Sequence, residues 1–274
     1  MRNSFNQKYG FNVLDKQPED LFEYAASHGL KHLEIHLTKD HLTIDTFTGS
    51  RINSLKALSQ SHNIQLSFHI PYYINISEIL IYLRRSNMNY LKKCVRIAGD
   101  LQARHVTLHP GSFYWFPVER WARQKALKRF VKNLRKILKV CEDMNVIMAV
   151  ENSVPIPQGS DYYLLGDSVD DFDFIFSNLQ SDYLRFCLDT GHANMSDGPI
   201  KYLNHFKEKL TSIHFHDNHG SNDEHLAVGR GKVVWKEFAA ELKKTNFEGP
   251  IISECRNVEP HEAASLFDSF FKDK

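Results

Sequence analysis

The chain has 274 residues, of which 42% are apolar, 24% charged and 12% aromatic, with 34 Lys and Arg against 33 Asp and Glu. This is the composition of an ordinary globular protein and excludes a disordered, collagenous or low-complexity chain. A formal net charge of +1 lacks the basic excess of a dedicated non-specific nucleic-acid binder, and no apolar run approaches the roughly 20 residues that span a bilayer.

Short β-rich apolar runs alternate with longer helical patterns along the chain. The runs predict strands at Tyr9–Leu14, His32–Leu37, Gln65–Ile70, His105–His109, Val146–Asn152, Leu184–Asp189, Thr211–Asp217 and Pro250–Cys255. Between and after them come helical stretches, for example Pro18–His28, Ile52–Ser61, Ile79–Ala98, Glu119–Met144, Trp235–Lys244 and Glu262–Lys272. Pro18 suits a first helical turn, and Gly29 and Asn63 suit positions just past a helix end. Within Arg120–Met144, Leu127, Val131, Leu134, Leu138 and Cys141 recur at three- and four-residue spacing and predict a buried stripe. Lys125, Lys128, Lys132, Arg135 and Lys139 form the opposite, solvated stripe.

Eight strands alternating with helices fit an α/β fold, a closed (β/α)8 barrel. A doubly wound open sheet shares the alternation but normally carries a Gly-rich phosphate loop after its first strand. Here Leu14 is followed by Asp15-Lys16-Gln17-Pro18. No Pro-, Gly- or Ser-rich linker divides the chain, so residues 1–274 read as one barrel domain. The longest predicted loops, Asn152–Ser168 and Asn218–Val234, are candidates for function. Met1–Lys8 is polar without a signal-peptide core, and Cys94, Cys141, Cys187 and Cys255 are too scattered for a disulfide framework. A cytoplasmic protein with no membrane partner is the expectation.

Histidine is abundant, at 15 residues, and its placement carries the functional argument. Predicted strands or the loops after them supply His69, His109, Glu151, Asp189 with His192, His214, Asp223 with His225, and Glu254. Nine side chains of metal-ligand type therefore come from six consecutive strand ends. In a barrel these ends open on one face, where active sites lie. Imidazole and carboxylate together suit zinc, manganese and related divalent ions, so one to three such ions are expected.

The ordered set from His69 to Glu254 resembles the xylose isomerase-like barrels, which include sugar isomerases and epimerases and also endonuclease IV. The resemblance implies that Glu151, Asp189, His214 and Glu254 ligate one divalent ion. In the epimerase branch, Glu151 and Glu254 would also be the catalytic acid and base, one removing a proton beside a carbonyl and the other returning it. In the endonuclease branch, which uses three zinc ions on abasic DNA, His69, His109 and Glu151 would form one pocket and His192, Asp223 and His225 another.

His69-Ile-Pro-Tyr-Tyr-Ile-Asn75 and His109-Pro-Gly-Ser112 look like the nuclease. Three features lean away from it. Leu33-Glu34-Ile35-His36-Leu37 lacks the Asn-Gln-Arg type sequence that enters DNA. The charge is balanced. His216-Asp217-Asn218-His219-Gly220, followed by Asp223-Glu224-His225-Leu226 and Gly229-Arg-Gly231, is closer to sugar-isomerase relatives. The expectation is therefore a metal-dependent isomerase or epimerase with a small-molecule sugar substrate, nucleic acid being a partner only under the alternative.

Four further residues are candidates for substrate binding. Tyr72 follows His69, and Trp115 lies in the aromatic run after His109. Arg230 and Arg256 are placed to meet a substrate phosphate, which guanidinium matches with two hydrogen bonds. His216 ranks behind His214 as a ligand, and His36, His62 and His105 read as structural. Cys187 and Cys255 sit within predicted strands, where they would pack in the core.

Overall fold

The computed structural model describes residues 8–114, 120–157 and 159–272. Eight parallel strands close into a barrel: β1 (Tyr9–Val13), β2 (His32–His36), β3 (Gln65–His69), β4 (His105–Leu108), β6 (Ile147–Glu151), β8 (Leu184–Asp189), β9 (Leu210–Phe215) and β10 (Ile251–Ser253). They neighbour one another in chain order, and β1 pairs with β10 to complete the ring. The expected (β/α)8 barrel is thus the fold of the chain.

The outer layer is helical: α1 (Phe22–Ser27), α2 (Gly49–His62), α3 (Ile81–Leu101), α4 (Arg120–Met144), α5 (Val169–Asn178), α6 (Thr190–Asn194), α7 (Pro199–Phe206), α8 (Trp235–Lys244) and α9 (Pro260–Ser269). The predicted stripe of α4 is buried from Leu127 to Cys141, while Lys125, Lys128, Lys132, Arg135 and Lys139 are exposed. Asn63 ends α2 in the left-handed region at φ 53°, its N–H donating to Gln60 O. Gly29, at φ +73°, turns the chain after α1.

Two parts of the fold differ from the sequence reading. Pro18–Leu21 forms a 3-10 turn, so the first predicted helix is helical over a shorter stretch. A small antiparallel ribbon, β5 (Ser112–Tyr114) paired with β7 (Tyr162–Leu164), stands outside the barrel. Three-residue strands carry too little periodicity to be separated from loop.

Helices pack against the outside of most barrel strands, so strand residues facing either way are mostly buried. An aromatic cluster under α5 and α7 shows the packing, with ring centroids 4.9 Å apart for Phe172 and Phe186 and 5.1 Å for Phe186 and Phe206.

Candidate metal centre

The barrel axis is polar, where branched apolar residues usually fill it. Glu34 of β2, Ser67 of β3, His105 and Thr107 of β4, and His214 of β9 are all buried there. Glu34 pairs in register with Ser67, and two residues later His36 pairs with His69 at the mouth. The parallel register therefore stacks one layer of polar side chains beneath another.

In the upper layer, both oxygens of Glu151 are engaged. Its Oε2 lies 3.0 Å from His69 Nε2 and 3.3 Å from His109 Nε2, and its Oε1 lies 3.2 Å from His214 Nδ1. Glu254 brings Oε1 within 3.1 Å of the same His214 Nδ1. Single ligand-type atoms of His69, Glu151, His214 and Glu254 all fall within 4.8 Å of one another.

Two overlapping groups share His216: Asp189 with His192, and Asp223 with His225. His216 Nε2 is 3.1 Å from Asp189 Oδ1, and His225 Nε2 is 3.0 Å from Asp223 Oδ2. Local structure aims these side chains. Asp189 caps α6, its Oδ1 accepting the His192 N–H at 2.7 Å, which turns His192 back over the strand ends. Asn152, just past β6, ties that strand end to β8 by exchanging hydrogen bonds with the Asp189 backbone. Gly191 leaves room for the His216 ring, because a Cβ there would meet it at 2.0 Å.

These residues suit a divalent cation. His69, His192 and His225 each place Nδ1 about a hydrogen bond from a backbone carbonyl, on Ile70, Asn152 and Glu254. That arrangement leaves Nε2 facing the site and is the usual outer contact of a metal-binding histidine. Asp189 Oδ2 and both ring nitrogens of His216 are buried without a hydrogen bond, a costly state that coordination would relieve.

Electrostatics agree with that donor set. Burial pushes Glu151 and Glu254 towards the neutral form. His109 and His214 beside Glu151, and His214 beside Glu254, outweigh burial and hold both carboxyls well below the usual range. Burial pushes His109 down to about 4, against the pull of Glu151. Against the same burial, the neighbouring carboxylates instead raise His69, His192, His214 and His225, so these rings would release protons to a bound cation.

A cavity of about 240 Å³ opens over Glu151 and Glu254, with Asn12, His36, Tyr72 and Arg256 completing its wall. Its size is at the small end of ligand pockets.

A family model described as xylose isomerase-like TIM barrel matches residues 22–270. The chain belongs to the xylose isomerase-like TIM barrel family.

Within and around this family, an uncharacterized protein of Methanocaldococcus jannaschii is 26% identical over 266 residues, covering 92% of this chain and 85% of its own. A probable endonuclease 4 of Mycoplasmopsis synoviae is 25% identical, over 70% of this chain and 69% of that protein. A crystal structure of a D-tagatose 3-epimerase-like protein superposes with a TM-score of 0.83 at 22% identity, covering 96% of both chains. Proteins named for an epimerase and for an endonuclease are thus both among those this chain is similar to.

The structure brings most of the sequence-derived candidates together. His69, Tyr72, His109, Glu151, His192, Asp223, His225, Glu254 and Arg256 line one cavity, and Asp189 and His214 are buried within the ligand groups. Asp189 groups with His192 and His216, whereas His69 joins Glu151, His214 and Glu254. This differs from the single-ion set implied by family resemblance.

Arg230 is not brought to the cavity. It is exposed in a turn where its N–H donates to Ala227 O, and Asp217 pins the flanking Gly229 and Val233 backbone. Trp115 lies outside the described residues.

His36 and His105, read as structural, both lie close to the polar interior of the barrel. His36 lines the cavity and stacks on His69 with centroids 4.1 Å apart, and His105 Nε2 lies 3.3 Å from Glu34 in the barrel axis. His62 sits at the end of α2 beside Leu58 O. His216 reaches the site because β9 ends at Phe215, one residue short of it. Cys187 is buried, but Cys255 is only partly so and lies just beyond β10. Asn12, which donates to Glu254, and Glu34 were not foreseen. Their signal was polar alternation within strands that the barrel buries on both sides.

No helix among the described residues is long and apolar enough to cross a membrane.

Proposed function

We propose that the protein is a divalent-metal-dependent isomerase or epimerase of a small sugar or sugar derivative, acting by proton transfer between Glu151 and Glu254. The observation that carries this reading is the cavity itself. It is of small-molecule size, and two glutamates at the ends of separate strands border it while converging on one histidine nitrogen. A zinc or manganese ion would be held by His69, Glu151, His214 and Glu254, and when bound it polarises a substrate carbonyl and makes the adjacent C–H more acidic. One glutamate, ionised, takes that proton while the other, which must enter the turnover protonated, supplies one to the opposite face. The two thus exchange roles, and the pair as a whole neither gains nor loses a proton.

Tyr72 and Arg256 orient the substrate in this reading. The Tyr72 ring lies tilted against His109, with centroids 4.5 Å apart. Arg256 is exposed at the cavity mouth, where a guanidinium suits a phosphate or carboxylate on the sugar. The β2–α2 connection supports a sugar over duplex DNA. It folds down into two 3-10 turns with Leu42, Ile44 and Phe47 buried, rather than projecting a polar wedge.

A second reading is an endonuclease IV-like zinc phosphodiesterase on abasic DNA. The likeness to the Mycoplasmopsis protein supports it, as do the two groups sharing His216, which offer places for further ions. Elemental mass spectrometry on protein purified without chelator separates the two. About one exchangeable ion per chain, with activity on a ketose panel, is the expected result. About three zinc ions with nicking of an abasic duplex would replace the sugar reading with the nuclease. Absence of metal after reconstitution would overturn both.

A further inference from the structure

His214 is the residue on which the two glutamates converge, and its two ring nitrogens face opposite ways. Nδ1 points up to Glu151 and Glu254 at 3.2 and 3.1 Å. Nε2 points into the barrel axis, 2.7 Å from Oε2 of Glu34. Nε2 and that oxygen are both buried and make no hydrogen bond of standard geometry with any group, so the 2.7 Å ion-pair contact is what each is offered.

The remaining oxygen of Glu34 is fixed independently. Thr107 Oγ1 donates to Oε1 at 2.9 Å and Ser67 Oγ donates to it at 3.1 Å, with His105 Nε2 at 3.3 Å. Glu34 is fully buried, and burying a carboxylate in a barrel core is expensive unless a partner requires it. Two nearby strands, β3 and β4, spend three polar residues to hold this one in place.

We infer that Glu34 is a positioning residue. Its carboxylate keeps the proton of His214 on Nε2, fixes the ring plane, and so commits Nδ1 as the atom offered to a cation among His69, Glu151 and Glu254. This rests on the metal-centre reading above and deepens it. An imidazole binds a metal through one nitrogen only while the other carries its proton, and a carboxylate on that second nitrogen raises the ligand's basicity.

The test compares wild type, Glu34→Gln and His214→Ala by competition for zinc against a chromogenic chelator. Glutamine preserves the volume of the side chain and removes its charge. The expected result is zinc affinity lowered by about 10- to 100-fold in Glu34→Gln, with an unchanged far-UV circular dichroism spectrum. In ¹H–¹⁵N spectra of the zinc-loaded wild type, His214 should show a slowly exchanging Nε2–H, which the variant loses. A merely structural glutamate would not move that signal.

Wild-type affinity in Glu34→Gln, alongside weakened binding in His214→Ala, would overturn the positioning role and leave the metal centre standing. Failure of wild type itself to bind zinc would remove the metal centre and the inference together. If Glu34→Gln does not fold, Thr107→Val provides the same test, since it removes one donor to Oε1 and keeps the shape. Its zinc affinity should fall about two- to tenfold, the worth of one hydrogen bond, and an unchanged value would count against the role.

Discussion

Gly191 and His216 are packed so closely that the glycine's hydrogen stands where any Cβ would lie 2.0 Å from His216 Cε1. Gly191 is helical, in the first turn of α6, so the need is for space and not for backbone freedom. Gly191→Ala should therefore push the His216 ring away from Asp189 and Asp223. Overpacking of this kind costs about 1–3 kcal/mol, which the fold can absorb. The expected outcome is a folded protein in which a further ion, where the groups that contain His216 take one, binds more weakly, read by metal titration beside His216→Ala. Equal affinities in wild type and both variants would show that His216 is not a ligand.

Glu254 is the more accessible of the two glutamates, with 9% of its side chain exposed against none for Glu151. Its Oε1 is held by Asn12 and by His214. Glu254→Gln keeps the shape and removes the proton acceptor, so turnover should fall by about 10²- to 10⁴-fold while the melting temperature changes little. Full turnover in this variant would end its assignment as acid or base.

The strand ends of the site were legible because an apolar run that stops at His69, Glu151 or Asp189 announces a residue that the core alone does not need. The boundaries of β8 and α8 coincide with those read from the sequence. What remained hidden lay inside the alternation. His32-Leu33-Glu34-Ile35-His36 has the period of a half-exposed strand, and only closure of the barrel turns its polar face inward, burying Glu34 and His32. The grouping of Asp189 with His216 was likewise unreadable, since it depends on where β9 stops and how α6 turns after its cap.

Asp217 shows how the loop that carries Asp223 and His225 is held. Its buried carboxylate accepts hydrogen bonds from the backbone N–H of Asn218, Gly229 and Val233 and from Trp235 Nε1, at 2.8 to 3.0 Å. Asp217→Ala leaves four donors unpaired, each worth about 1–3 kcal/mol when buried. Some will find water, so a loss of about 3–5 kcal/mol is expected in denaturant unfolding. A loss below 1 kcal/mol would show that the loop keeps its shape without this anchor.

Metal removal gives a prediction independent of substrate. The site concentrates Glu151, Asp189, Asp223 and Glu254, and among the described residues their ion pairs are with histidines. A divalent ion replaces that partial compensation and binds the folded state, whose ligands come from strands far apart in the chain, much more tightly than the unfolded chain. Free metal at 100 times its dissociation constant should then stabilise the protein by about 2.7 kcal/mol. Thermal melts with zinc or manganese against a chelator should show a clear upward shift, removed in the Glu151→Gln, His214→Ala double variant. The reason is cooperative: Glu151 touches His69, His109 and His214 at once, so removing these two residues dismantles the first group. A shift of equal size in the double variant would place the stabilising ion outside this group and move attention to the residues around His216.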